Sequence, residues 1–170
     1  VENGGFWMRA KVKIILLLLK FPVEIMLKRL IYVSRPLEEF GPDVLLEMLK
    51  SARLRNGKRD ISGYLLYKNC YFMQYLEGEK ADIDHLYQKI IRDPRHTDIF
   101  TVYLGQGEER LFADWEMGFM GPEEFTGVKG LDTDVMPRPL MMDPRSRDDR
   151  AIITILKTFA SNQPEMAAIS

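Results

Sequence analysis

Two neighbouring stretches, ISGYLLY (61–67) and CYFMQYLE (70–77), carry large apolar side chains at odd and even positions alike. Their aromatic and aliphatic residues suit a pleated surface, and the Lys68-Asn69 pair between them gives hairpin spacing. Successive strand side chains point to opposite faces, so a hairpin of this composition has to be buried on both. The chain must therefore supply two separate layers of cover.

The first layer is legible. KRLIYVS (28–34) reads as a strand ended by Arg35-Pro36, and Gly41-Pro42-Asp43 opens a helix whose stripe is Leu45, Met48, Leu49 and Ala52. Asn56 continues that stripe and Gly57 is its stop. Residues 79–93 form a second helix with Ile83, Leu86, Tyr87, Ile90 and Ile91 inward, ended by Pro94. DIFTVYLGQ (98–106) and LFADWEMGF (111–119) read as two more strands joined by a charged turn. The order βαββαββ predicts an α+β, ferredoxin-like sandwich with two helices on one sheet face. For the second layer, Ala151, Ile152, Ile155 and Leu156 recur at helical spacing after the Pro-containing linker 136–145. They predict a C-terminal helical tail on the other face, over Tyr64, Leu66, Tyr71, Met73 or Tyr75.

Composition narrows the function. A net charge of −1 gives no electrostatic reason to expect nucleic acid as a partner. One cysteine, Cys70, allows no disulfide framework and fits a reducing, cytoplasmic setting. Two histidines and one cysteine, scattered, make no metal cluster. The apolar run 14–19 is far too short for an integral membrane span. Three regions are expected: an N-terminal extension (1–25) with no role assigned, a folded domain (26–120), and a linker with a helical tail (121–170).

Three polar side chains share the face that the two helices cover. Gln74 has the parity of Phe72 and Leu76, Tyr32 that of Leu30, and Asn56 lies on the first helix's apolar stripe. A buried amide without a partner costs about 1–3 kcal/mol. Each has an ordinary structural use, as a helix cap, a backbone partner or a core phenol. Convergent on one face and flanked by Met48 and Ile90, they also describe a pocket for a flat heteroaromatic ligand with carbonyl and ring-nitrogen edges. In the last strand Trp115 and Met117 lie on one face, with Gly118 behind.

The fragments KRLIYVSR, RN-(x4)-ISGYLLY, FMQYLEG, RDPRH and RLFADWEMGF, in register from about Leu27 to Phe119, resemble BLUF domains, blue-light sensors that bind FAD. That resemblance implies a non-covalent flavin between the two helices. Asn56 and Gln74 would bond its pyrimidine edge, Tyr32 would bond Gln74, and Trp115 and Met117 would sit near the glutamine. Arg55 stands where relatives carry residues such as His or Asn, and would stack on the ring, reach a phosphate or equally face solvent. Lys89, Asp93, Arg95 and His96 fall where the family's second helix and following loop approach the ribityl chain and ring.

The family's reaction implies that Tyr32 transiently reduces the excited flavin. Gln74 is left rotated or tautomerised, with a stronger bond to the flavin C4 carbonyl and a small red shift that relaxes in the dark. This is a switch, not an enzyme. A short, stand-alone sensor of this kind would act on a downstream signalling protein in trans and form homo-oligomers, with the last strand and tail helix carrying the signal.

Other readings compete. NCYFMQ superficially resembles the NCRFLQ motif of LOV domains, whose cysteine attacks the flavin, but Tyr71 replaces the arginine and Cys70 follows a hairpin turn. The fold also hosts small-molecule regulators and acylphosphatase-like hydrolases. For the latter, residues 34–39 (SRPLEE) hold two acids and no glycine, a poor anion cradle.

Overall fold

Strand β3 (Tyr71–Gly78) lies mid-sheet between β1 (Leu27–Pro36) and β2 (Ser62–Lys68), antiparallel to both. The structure, a computed structural model, describes residues 26–122, 125, 127–129, 131 and 138–161. The extension 1–25 and part of the expected linker lie outside the described residues. Strand β4 (His96–Gly107) pairs with the outer side of β1, and β5 (Gly118–Met120) with β2, giving the order β4-β1-β3-β2-β5. Helices α1 (Pro42–Gly57) and α2 (Lys80–Ile91) make the two crossovers and cover one face. This is the α+β, ferredoxin-like sandwich.

The alternation of the strands builds two cores. Leu30, Leu65, Tyr67, Phe72 and Leu76 meet Leu45 and Leu49 of α1 and Ile83 of α2. Ile31, Tyr64, Leu66, Met73 and Tyr75 form a second cluster with Ile152, Ile153 and Leu156 of the tail helix. That helix, α4 (Arg147–Ser161), follows a single helical turn, α3 (Arg138–Met141). Fully burying a large apolar side chain is worth roughly 1.5–3 kcal/mol, so this second layer contributes a substantial share of the stability. Tyr71, at the hairpin end, is only partly covered.

The β2–β3 turn is one residue later than the sequence suggests. Asn69 and Cys70 both have positive φ, 50° and 59°, and Lys68 already pairs with Tyr71. Two left-handed central residues are what a tight hairpin turn demands, and asparagine tolerates that conformation well. Ile91 is 45% exposed and not inward, because it is the last residue of α2.

The larger correction concerns the stretch 111–119, expected to be a strand joined to 98–106 by a charged turn. Only Gly118–Met120 is strand, at the opposite edge of the sheet and parallel to β2. Residues 108–117 cross from one edge to the other. The buried Glu77 carboxylate accepts from two of their N–H groups, those of Leu111 (2.8 Å) and Phe112 (2.6 Å). Trp115 N–H then closes a turn on the Phe112 carbonyl, and Gly63 N–H reaches the Trp115 carbonyl.

The tail helix also carries an acid on its buried side. Asp149 (3% exposed) accepts a 2.8 Å hydrogen bond from Arg29 of β1, itself 3% exposed. Removing one member of such a pair leaves a buried charge uncompensated.

Candidate functional site

Between α1, α2 and the sheet lies a cleft of about 690 Å³, counting the open space at its mouth. Its walls are aliphatic and aromatic: Met48, Leu49 and Ala52 from α1, Leu86 and Ile90 from α2, with Phe40, Leu65 and Phe72. Tyr32, Asn56 and Gln74 bring the polar groups into it. Their convergence follows from the fold, since Tyr32 and Gln74 are directly opposite one another in the β1–β3 ladder.

Tyr32 donates from its hydroxyl to Gln74 Oε1 at 2.5 Å. Burial, helped by Tyr87 and Asp93, raises the phenol's pKa far above its ordinary value, so Tyr32 holds its proton throughout the neutral range. Gln74 Nε2 donates to the Met117 thioether at 3.2 Å. Sulfur is a weak acceptor, so the donor end of this buried amide is only loosely held, with a second N–H still to place. Asn56 donates from Nδ2 to the Glu116 carbonyl at 2.8 Å, which leaves its other N–H and its Oδ1 to serve the cleft.

Trp115 is not where the sequence put it. The turn at 112–115 breaks the strand alternation, so Met117 faces Gln74 while Trp115 lies on the opposite sheet face, its ring 5.4 Å from that of Tyr64. Gly118 makes room for this. A Cβ there would come within 2.3 Å of the rings of both Trp115 and Tyr64.

The remaining candidates divide. Arg55 lines the cleft but is exposed, and donates to Ser51 Oγ at 2.6 Å. Asp93 lines the mouth, where hydrogen bonds from Arg95 hold its carboxyl down to about 2 against the opposing effect of burial. His96 lines the cleft with both ring nitrogens engaged, Nε2–H on the Ile90 carbonyl (3.1 Å) and Nδ1 on the Ser34 hydroxyl (2.8 Å). Burial lowers its pKa, in keeping with a neutral ring. Lys89 is exposed and is not among the residues lining the cleft. Cys70 is exposed at the hairpin turn and is not among the residues lining the cleft.

Sequence reasoning missed Phe40, which no periodic element carries, and Arg53. The Arg53 guanidinium donates from Nε to the Met117 carbonyl at 3.0 Å. On the helix it looks like any surface cation, and only the path of residues 108–117 reveals the contact.

Comparison with known proteins agrees with this geometry. The profile of the BLUF family, "Sensors of blue-light using FAD", matches residues 27–118. The photoactivated adenylate cyclase subunit beta of Euglena longa is 40% identical over 93 residues, which is 54% of this chain and 11% of that protein. The match therefore spans about a tenth of such relatives. Among solved structures, the BLUF protein BlrB in its dark state is 27% identical, with a TM-score of 0.56 over 78% of this chain and 98% of that one. A bacterial light-regulated adenylyl cyclase is also 27% identical with a TM-score of 0.56, over 79% of this chain and 34% of the other.

Proposed function

The chain belongs to the BLUF family, sensors of blue light using FAD, and from that premise we propose that its cleft holds the flavin ring and that residues 26–120 are the light-sensing unit. The observation that carries this is Gln74: a buried amide with one short bond to a phenol and its donor end resting on sulfur. A ligand carbonyl is the acceptor it lacks. The cleft fits a flavin, with an apolar slot for the ring and amide groups of Gln74 and Asn56 for its polar edge. Met48 and Ile90 would flank the ring, with Arg55, Asp93 and His96 around the cleft mouth and Lys89 farther out.

When bound, the flavin absorbs blue light and becomes a strong oxidant. Tyr32 would supply the electron and recover it, with its proton, when the pair recombines. A phenol that has lost an electron is strongly acidic, and the Tyr32 proton already lies on a 2.5 Å path to Gln74 Oε1. The carboxamide can then rotate or tautomerise, exchanging its donor and acceptor ends. The loose thioether contact makes that exchange inexpensive at Nε2. Nothing is consumed, so this domain acts as a switch and not as a catalyst. Met117 belongs to the photochemical group; Trp115 acts from the tail face.

The signal passes to another protein in trans or to a second copy of the chain, in the cytoplasm, with no role for nucleic acid. Among the described residues no helix is long and apolar enough to cross a membrane.

Purified protein should be yellow and release all its flavin on denaturation, with a small red shift under blue light that reverses in the dark. Gln74→Leu and Tyr32→Phe should keep the flavin and lose the whole shift. Colourless protein that no flavin can load would overturn this reading, and a light response surviving Gln74→Leu would overturn the role of the amide.

A further inference from the structure

Met117 sits just outside the sheet ladder, since β5 begins at Gly118. Upstream, the chain is pinned at the Trp115 carbonyl by Gly63 N–H (3.0 Å). Between these two points, the last turns of α1 do the holding. Asn56 takes the Glu116 carbonyl, and Arg53 takes the Met117 carbonyl through Nε at 3.0 Å. The packing is close there, for a Cβ on Gly57 would lie 3.4 Å from Glu116 Cγ. Among the described residues the Arg53 side chain makes this hydrogen bond and no ion pair.

We propose that Arg53 is a positioning residue for the light reaction: by holding the Met117 carbonyl it fixes the Met117 thioether against Gln74 Nε2. The proposal rests on the role given above to Gln74. The donor end of the amide meets sulfur 3.2 Å away, and the placement of that sulfur depends on the backbone that carries it. A guanidinium gripping the same residue's carbonyl limits how far the thioether can withdraw. Arg53 touches neither Gln74 nor Tyr32 by any recorded bond, so it acts through Met117. It also ties α1, which lines the cleft, to the segment leading into β5. Movement at either end is felt at the other.

The test uses protein as purified, in the dark, with methyl-labelled methionine. The Met117 methyl resonance is identified by its loss in Met117→Leu. Arg53→Leu keeps an apolar stem without a donor, whereas Arg53→Lys keeps a donor of similar reach. Arg53→Leu should move the Met117 methyl resonance and leave those of Met141 and Met142 in place. It should also change the dark-recovery rate by about threefold or more, the scale of one lost hydrogen bond. Arg53→Lys should lie closer to the parent on both readouts. In a Met117→Leu background, Arg53→Leu should have no further effect on recovery. An unmoved Met117 resonance, or a recovery effect of the same size with and without the sulfur, overturns the proposal. Should Arg53→Leu not fold, Arg53→Gln answers the same question by the same resonance. If the parent protein shows no red shift, the light-sensing reading fails, and the methyl spectrum still decides whether Arg53 positions Met117.

Discussion

Strand β3 carries two buried polar residues three positions apart that face opposite sides of the sheet, and they are used in opposite ways. Glu77, fully buried, accepts four hydrogen bonds, two on each oxygen: from Ser62 Oγ and Phe112 N–H, and from Tyr75 Oη and Leu111 N–H. Gln74, 8% exposed, has one short bond to Tyr32 and a thioether on its donor end. Both escape water, but only the carboxylate has its hydrogen-bonding capacity filled. A saturated buried group holds architecture together, here by anchoring the crossing segment 108–117. A buried group with capacity left can still take a partner. The tail face has its own imperfect member in Arg29, whose Nε has no hydrogen-bond partner among the described residues.

The comparison is easiest to break at Glu77. Glu77→Ala strands four donors, and by the scale of broken buried polar networks should cost about 3–5 kcal/mol of stability in urea denaturation. Next, Leu156→Ala, at a fully buried tail-helix position, should cost about 2–4 kcal/mol. It should leave the dark absorption spectrum of the flavin unchanged, because that helix packs on the other face. A spectral shift there would mean that the faces are not separable. Gln74→Leu should by contrast cost only about 1–3 kcal/mol in stability, the scale of the one buried donor it strands, the Tyr32 hydroxyl. A loss as large as that of Glu77→Ala would erase the distinction.

The smallest effect is one of pH. Burial lowers the His96 pKa below its ordinary 6.5, with Arg95 adding to the shift and Asp93 and the Ile90 carbonyl opposing it. The unfolded chain thus takes up this proton before the folded one does. Its contribution is complete above about 6.5 and declines as pH falls below that value. Urea midpoints at successive pH values should decline less steeply for His96→Gln than for the parent.

Much of this architecture was legible because it rests on periodicity. The doubly apolar hairpin, the α1 stripe and the tail stripe each announce which face is covered, and the parities of Tyr32 and Gln74 bring their side chains together. What escaped is held by side chains instead of ladders. Residues 111–117 look like a strand, yet the N–H groups of Leu111 and Phe112 are met by a carboxylate from β3, and the carbonyls of Glu116 and Met117 by Asn56 and Arg53 of α1. With the alternation broken, the shared parity of Trp115 and Met117 lost its meaning. The Arg29–Asp149 pair escaped for a similar reason. Each reads as a surface charge, although Arg29 has the parity of Ile31 and Asp149 lies one helical turn before Ile152.

The strand order also governs how the chain comes together during synthesis. β1 emerges before every other described element, yet both of its neighbours, β3 and β4, arrive later. At ribosomal speeds of roughly 5–20 residues per second, the interval between the end of β1 and the end of β4 is roughly 4–14 s. Until β3 is complete, a strand with Leu30 and Ile31 on opposite faces has no full partner on either side, and its outer side stays open until β4 follows. Unpaired apolar strands recruit other chains. The nascent protein is therefore most exposed to aggregation before its cleft is complete. Slower translation between residues 36 and 107 should lower the soluble yield without altering the finished sensor.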